Sequence, residues 1–205
     1  MKIPLVKFSL IFLVVLASCS KEYELDKSIF ITDKDYPFLP AYTEWGYNTF
    51  GALYDREPFV NNNSRIPTKV ICTGGKTSFS LKGHLGQANY YYYSSNTTPI
   101  TLSFDLYGFV PGSLSNLIEL NDTTIDLTNP LCKVTLTRDT VKYNVTVLNG
   151  TLNFKRAQNL IVDKQPYEII LSGTFDFQTI INNDPLSISM GRFDLGIASD
   201  NFFKY

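Results

Sequence analysis

Residues 169–178 read IILSGTFDFQ, and this stretch decides the fold class because its side chains alternate between apolar and polar. Leu171, Phe175 and Phe177 share one phase, and polar residues take the other. A period of two is typical of an antiparallel strand with one face in the core and one face in solvent. The same alternation recurs in TLSFDLYGF (101–109), VKYNVTV (141–147) and LSISM (186–190).

Turn-forming residues separate the alternating stretches and predict about ten short strands. Asn149-Gly150 predicts a two-residue hairpin turn, since both residues accept positive φ. A single helical turn is expected over residues 113–120. The fold class is therefore all-β, either an antiparallel β-sandwich or a partly closed barrel. The other predicted turns are Asp55-Arg56, Gly74-Gly75, Pro111-Gly112, Asn129-Pro130 and Asn182-Asn183-Asp184.

The N-terminus has the pattern of a secretory signal. Residues 1–7 carry two lysines and no acid, and residues 8–16 are uncharged but far shorter than the roughly 20 residues that span a bilayer. The following Leu16-Ala17-Ser18-Cys19 resembles the bacterial lipobox. The resemblance implies cleavage before Cys19, acylation of that cysteine and a lipid bilayer as partner. A plain signal peptide with an incidental cysteine is the alternative.

The domain organisation predicted from this start has three parts. Residues 1–18 are the lipoprotein signal peptide, residues 19–42 are the lipidated N-terminus with a flexible tether, and residues 43–205 form a single β-domain. Ser20 favours the outer membrane, and residues 21–24, Lys-Glu-Tyr-Glu, resemble a signal for export to the cell surface. The expected location is the outer membrane, facing outward, although an ordinary solvated tether explains the same residues.

Charge and cysteine content narrow the function classes. The formal net charge of −1 gives no electrostatic footprint for nucleic acid. Cys72 and Cys132 both fall on the apolar phase of strand-like runs, so we expect buried, reduced thiols. A disulfide between them requires Cα atoms within about 7 Å, which the sequence leaves open.

Both ends of the predicted β-domain resemble segments of a known group of proteins. Residues 44–60, EWGYNTFGALYDREPFV, resemble the opening hairpin of small Bacteroidota-type surface lipoproteins, and residues 172–197 resemble their closing hairpin. Those proteins belong to families of unknown function with an all-β domain. The resemblance implies a lipoprotein β-domain and brings no catalytic residue with it.

The residues that carry chemistry in enzymes are sparse. His84 is the only histidine, so it is the one candidate base for a nucleophile and a zinc site lacks a second histidine; no serine lies in a Gly-x-Ser-x-Gly elbow. Gly75-Lys76-Thr77 lacks the first glycine of a phosphate loop, because Val70 stands there. We therefore expect no cofactor, no metal and no enzymatic activity. Remaining candidates are the carboxylate pairs Asp55/Glu57 and Asp176/Asp194 and the oxygen-rich segments 33–35 and 182–184.

The run Tyr90, Tyr91, Tyr92 and Tyr93 is the candidate for ligand binding. In a strand, successive side chains point to opposite faces, so we expect one pair in the core and one pair in solvent. Exposed aromatic rings suit the apolar faces of sugars, although tyrosine is also simply a good strand former. The sequence thus favours a non-catalytic domain that binds a ligand such as glycan or a partner protein. The alternative is a structural or assembly accessory subunit of a fimbria or an outer-membrane complex.

Overall fold

The computed structural model describes residues 28–61, 66–86, 97–162 and 164–205 and is all-β. Eleven strands belong to one sheet, and one short 3₁₀ helix, Leu114–Leu120, accounts for the predicted helical turn. The strands are β1 (Thr49–Tyr54), β2 (Glu57–Val60), β3 (Thr68–Thr73), β4 (Lys76–Leu85), β5 (Thr98–Tyr107), β6 (Thr123–Asp126), β7 (Cys132–Arg138), β8 (Val141–Val162), β9 (Gln165–Ile181), β10 (Asp184–Ile197) and β11 (Phe202–Lys204).

Eight of these strands close into a ring of backbone pairings. The order is β4, β2, β1, β10, β9, β8, β7 and β5, and β5 pairs back to β4. β4 takes part in three pairings because β2 meets only its last residues, while β3 pairs along the rest of that edge. All pairings within the ring are antiparallel, as the alternation predicts.

The core lies inside the ring and is rich in phenylalanine. The apolar phase of each strand points inward, which confirms the pattern read in residues 101–109 and 169–178. Phe104 packs edge-on against Phe175 with ring centroids 5.5 Å apart, and Phe154 packs on Phe193 at 5.7 Å. Phe104 of β5 and Phe175 of β9 thus meet across the interior, while Phe154 of β8 and Phe193 of β10 meet over Gly173 of the strand between them.

Most of the predicted turns are confirmed. Asp55-Arg56, Gly74-Gly75 and Asn182-Asn183 each close a two-residue hairpin, and both glycines, both asparagines and Asp55 have the positive φ that such turns require. Pro111-Gly112 precedes the 3₁₀ helix, and Asn129-Pro130 precedes β7.

The hairpin predicted at Asn149-Gly150 is wrong. β8 runs without interruption through both residues and spans 22 residues, so β8, β9 and β10 are long strands rather than short ones. Gly150 has φ 145, and a Cβ there would lie 2.4 Å from the Cβ of Phe177 on β9. The glycine therefore serves a close approach of strands next to a bulge between Val147 and Asn149, not a turn.

Residues 28–48, here called the strap, lie against the outer face of β9 and β10. Leu39 is fully buried, Asp33 pairs with Arg192 of β10, and Gly46 packs on Ile170 of β9. The sequence assigned residues 19–42 to a flexible tether, but from Ser28 onward the described chain is packed on the sheet. Polar contacts hold this segment, so it lacks the apolar periodicity by which an element is recognised.

Cys72 and Cys132 are buried and unbridged, as expected. The hydroxyl of Thr77 lies 3.5 Å from the sulfur of Cys72. Burial, with Asp105 and Asp126 nearby, raises the pKa of the Cys132 thiol to about 11. Both thiols are therefore structural groups of the core.

Candidate functional site

One end of the ring opens into a cleft, here called the ring mouth. Three hairpin turns meet there: the β1–β2 turn, the β7–β8 turn and the β9–β10 turn. They share one end because neighbouring strands in the ring are antiparallel, so β1, β7 and β9 finish where β8 and β10 begin. The cleft has a volume of about 200 Å³.

The ring mouth has an apolar floor and a polar, aromatic rim. The floor includes Leu136 and Leu186, which are buried. Tyr54, Arg138 and Tyr143 stand on the rim and continue the inward phase of β1, β7 and β8. The inward face of each strand therefore changes from aliphatic to polar and aromatic at its last or first residues.

The turns that carry the rim are held by hydrogen bonds. The Asp55 carboxylate accepts a hydrogen bond from the Ser187 amide at 2.9 Å, and the Asp55 amide donates to the Ser187 carbonyl at 2.7 Å. Asn182 and Asn183 take φ values of 53° and 70°. Asp55, Asn182 and Asp184 thus stand at fixed positions around the opening.

Tyr54 is the rim residue whose pKa is shifted. Burial raises its pKa, and the Asp55 charge acts in the same direction, while Arg138 opposes both. The phenol therefore stays protonated at neutral pH and offers both a donor and an acceptor beside the Arg138 guanidinium.

The predicted tyrosine run, Tyr90–Tyr93, lies outside the described residues, as does Cys19. The described ends of the connection between β4 and β5 both reach the ring mouth. Gly86 donates to the carbonyl of Pro58 at 3.0 Å beside the β1–β2 turn, and Pro99 accepts from the amide of Asp139 at 3.0 Å. Asp139 directly follows Arg138 of the rim.

Of the two carboxylate pairs suggested by the sequence, Asp176 and Asp194 are not brought together. Asp194 is opposite Ser172 in the β9–β10 ladder, four residues from Asp176, which is roughly 13 Å along a strand. Asp176 is exposed, whereas Asp194 is 1% exposed. Of Asp55 and Glu57, only Asp55 lines the cleft.

Asp194 instead organises the strap. Its carboxylate accepts hydrogen bonds from the Thr43 hydroxyl at 2.6 Å and from the amides of Trp45, Gly46 and Tyr47 at 3.1, 2.7 and 3.2 Å. A buried carboxylate with four donors is satisfied without a metal or a ligand. The side chain of Trp45 projects from this fixed loop and is 68% exposed.

His84 lies in β4 between the inward-facing Leu85 and Gly83, so its side chain is on the outer face of the sheet, away from the cleft. Burial lowers its pKa. Within the described ranges, no three His, Cys, Asp or Glu side chains gather into a group that could hold a metal ion. In the same part of the chain, no helix has the length and apolar character needed to cross a membrane.

Sequence reasoning missed the rim of the ring mouth. Tyr143 was read only as a member of an alternating run, and neither Tyr54 nor Arg138 stood out. The signal that could have found them is positional: each is a large polar or aromatic residue on the apolar phase, within three residues of a turn.

Comparison with known proteins identifies no relative: no family model, no curated protein and no solved structure matches this chain. Its function is therefore inferred from the geometry of the ring mouth and the strap.

Proposed function

We propose that this chain is an outer-membrane-anchored, surface-exposed lipoprotein whose non-catalytic β-domain binds a glycan at the ring mouth. Residues 1–18 serve as its signal peptide, and acylated Cys19 holds it in the bilayer. The observation that carries the binding role is the change of the inward strand faces at Tyr54, Arg138 and Tyr143 from aliphatic to aromatic and polar.

The chemistry of the rim supports a carbohydrate ligand. Two tyrosine rings offer flat apolar surfaces for the C–H faces of a sugar, and their hydroxyls can bond to its oxygens. Arg138, Asp55 and Asp184 add donors and acceptors for hydroxyl groups. A volume of about 200 Å³ is below the roughly 300–1,000 Å³ of enclosed ligand pockets, so the cleft suits one ring of a longer chain.

The composition of the cleft supports binding without catalysis. Its described lining contains no histidine, serine, threonine or cysteine, and its carboxylates, the groups that glycosidases use in pairs, are Asp55 and Asp184. Asp55 is already engaged with the Ser187 amide. The closed order of the ring also favours the partly closed barrel over the sandwich, and closed sheets often bind ligands at their mouths.

The tyrosine run Tyr90–Tyr93 lies outside the described residues. We propose that it adds aromatic contacts to the ligand.

The test is a glycan array probed with the chain from residue 20 onward. Arg138→Ala and Tyr143→Ala should each weaken binding of the recognised glycan roughly 5- to 30-fold, since each removes a polar or stacking contact worth about 1–2 kcal/mol. Tyr205→Ala, which truncates an exposed tyrosine outside the cleft, is the matched control and should bind normally.

Two results would contradict the proposal. The first is a bound glycan whose affinity is unchanged in both rim variants while both remain folded. The second is an array without binding together with stable co-purification of the native protein in an outer-membrane complex, which favours an accessory subunit instead.

A further inference from the structure

The strap carries an unusual set of solvent-facing apolar side chains. Ile29, Ile31, Tyr42 and Trp45 are 49%, 47%, 37% and 68% exposed. Two hydrogen bonds place their segments side by side, since Ile29 donates to the Tyr47 carbonyl at 2.8 Å and Ala41 donates to the Ile31 carbonyl at 2.6 Å. These four side chains are here called the strap patch.

The strap patch is held in place and is not the surface of a loose loop. The amide of Trp45 is bonded to the buried Asp194. The hydroxyl of Tyr42 donates to Glu44 at 2.9 Å. Asn48 is fully buried and its side-chain oxygen accepts from the Gly196 amide at 2.9 Å. These hydrogen bonds fix the backbone of the strap, and in that conformation the side chains of the strap patch are exposed.

Two of the three acidic groups of the strap form ion pairs, and the third, Asp35, is exposed beside Lys34 in the sequence. Glu44 pairs with Arg156 at 2.8 Å, and Asp33 pairs with Arg192. The bonds from Arg156 and from Tyr42 hold the pKa of Glu44 below its usual value, so this ion pair persists at neutral pH. The neighbourhood of the strap patch thus presents little uncompensated negative charge toward an anionic surface.

The strap patch and the ring mouth lie at opposite ends of the same strands. β10 begins with Asp184 at the ring mouth and reaches Asp194 beneath the strap ten residues later, roughly 30 Å along the strand. β1 leaves the strap at Thr49 and ends with Tyr54 on the rim. A surface that contacts the strap patch therefore meets the domain far from the ring mouth and leaves the ring mouth uncovered.

We infer that the strap patch rests in the headgroup region of the lipid bilayer that holds Cys19, which leaves the ring mouth uncovered. This inference rests on the proposed acylation of Cys19. Residues 20–27 connect that cysteine to Ser28, so the strap begins within roughly 30 Å of the anchor even for an extended chain. Tryptophan and tyrosine beside aliphatic side chains are the residues that favour the boundary between headgroups and acyl chains.

Trp45 reports directly on this contact because it is the only tryptophan of the chain. The experiment uses the acylated mature protein in vesicles of phosphatidylethanolamine and phosphatidylglycerol with brominated acyl chains. The expected result is a blue shift of the tryptophan emission, loss of emission to the brominated lipid and protection from acrylamide in the water phase.

A double variant keeps the reporter and removes the aliphatic half of the patch. Ile29→Ser with Ile31→Ser should restore emission and access to acrylamide, while the protein stays in the vesicle fraction. The matched control, Val141→Ser with Leu148→Ser, changes two exposed apolar residues of β8 outside the strap and should leave the emission of the membrane-bound protein unchanged.

The outcomes separate the inference from the anchor on which it rests. If the acylated protein is bound to vesicles but Trp45 remains open to acrylamide and insensitive to brominated lipid, the strap inference is overturned and the anchor stands. If Cys19 carries no acyl group and the native protein does not associate with vesicles, both are overturned.

Discussion

Two aspartates hold the strap, and they do so as acceptors of hydrogen bonds. Asp194 of β10 accepts a hydrogen bond from the Gly46 amide of the strap, and Asp33 of the strap pairs with Arg192 of β10. Asp33 also accepts bonds from the amides of Asp35 and Tyr36 at 2.9 and 3.0 Å. Neither role is visible in the sequence, because each depends on a partner more than one hundred positions away or on a local turn without a periodic pattern.

The pH dependence of stability should expose the role of Asp33. Burial raises its pKa, but the bonds from Asp35, Tyr36 and Arg192 outweigh this and keep the pKa below its ordinary value of 3.8. A carboxyl with a lowered folded-state pKa contributes stability that is present above the unfolded pKa and is lost as pH falls through the folded pKa. Asp33→Asn should therefore destabilise the protein at neutral pH and make little difference at strongly acidic pH.

Urea unfolding of wild type and Asp33→Asn at a series of pH values measures the difference in unfolding free energy between the two proteins. Asp35→Asn, a substitution of an exposed neighbour with the same change in charge, is the control. If the loss of unfolding free energy in Asp33→Asn stays constant down to strongly acidic pH, the carboxylate charge does not hold the strap.

At the scale of elements, the sequence predicted the two-residue alternation of the strands and most of the turns, but not the lengths of the strands. Asp55-Arg56, Gly74-Gly75 and Asn182-Asn183 were recognised because turn chemistry is local. Asn149-Gly150 has the same local chemistry, yet β8 continues through it because β9 provides a partner on one side. Pairing with a distant strand overrides a local turn preference, and a single sequence does not contain that pairing.

Gly150 gives a test of this explanation. Alanine at position 150 adds a Cβ that would lie 2.3 Å from the Asp176 carbonyl oxygen and 2.4 Å from the Phe177 Cβ. Gly108 also has a positive φ, 83° against 145° at Gly150, but nothing within 4 Å of its added Cβ, so Gly108→Ala controls for the strain of about 1–2 kcal/mol that a Cβ causes at positive φ. Gly150→Ala should cost about 1–3 kcal/mol more than the control, since it also overpacks β8 against β9.

Chemical denaturation of the two variants gives the difference in unfolding free energy. Equal losses of stability would mean that the approach of β8 to β9 relaxes freely, and that Gly150 serves backbone conformation alone.

At the scale of the molecule, the ring is built from pairings that no local pattern specifies. β4 joins β2, β3 and β5, and the C-terminal β11 pairs in parallel with β3. The all-β class and the inward residues were predictable because alternation is a property of each strand. The rim of the ring mouth was not, because Tyr54, Arg138 and Tyr143 become neighbours only when β1, β7 and β8 take their places in the ring.

The same long-range order separates the two surfaces on which the proposals depend. A strap on the outer face of β9 and β10 leaves the distant cleft uncovered when it meets a membrane, so the anchor that brings the strap to the membrane is the deciding feature. Cys19→Ala should abolish labelling by an alkyne fatty acid and release the protein from the membrane fraction, because one apolar run of nine residues cannot replace several acyl chains.

Cys72→Ala is the matched control for the loss of labelling, since Cys72 is 1% exposed in the folded domain and is expected to accept no acyl group. Labelling of native protein and of Cys72→Ala, with none of Cys19→Ala, supports the anchor. Retention of Cys19→Ala in the membrane fraction would mean that another part of the chain holds the protein there. The strap patch would then be the first segment to test, because Ile29, Ile31, Tyr42 and Trp45 are exposed and lie nearest to the signal in the sequence.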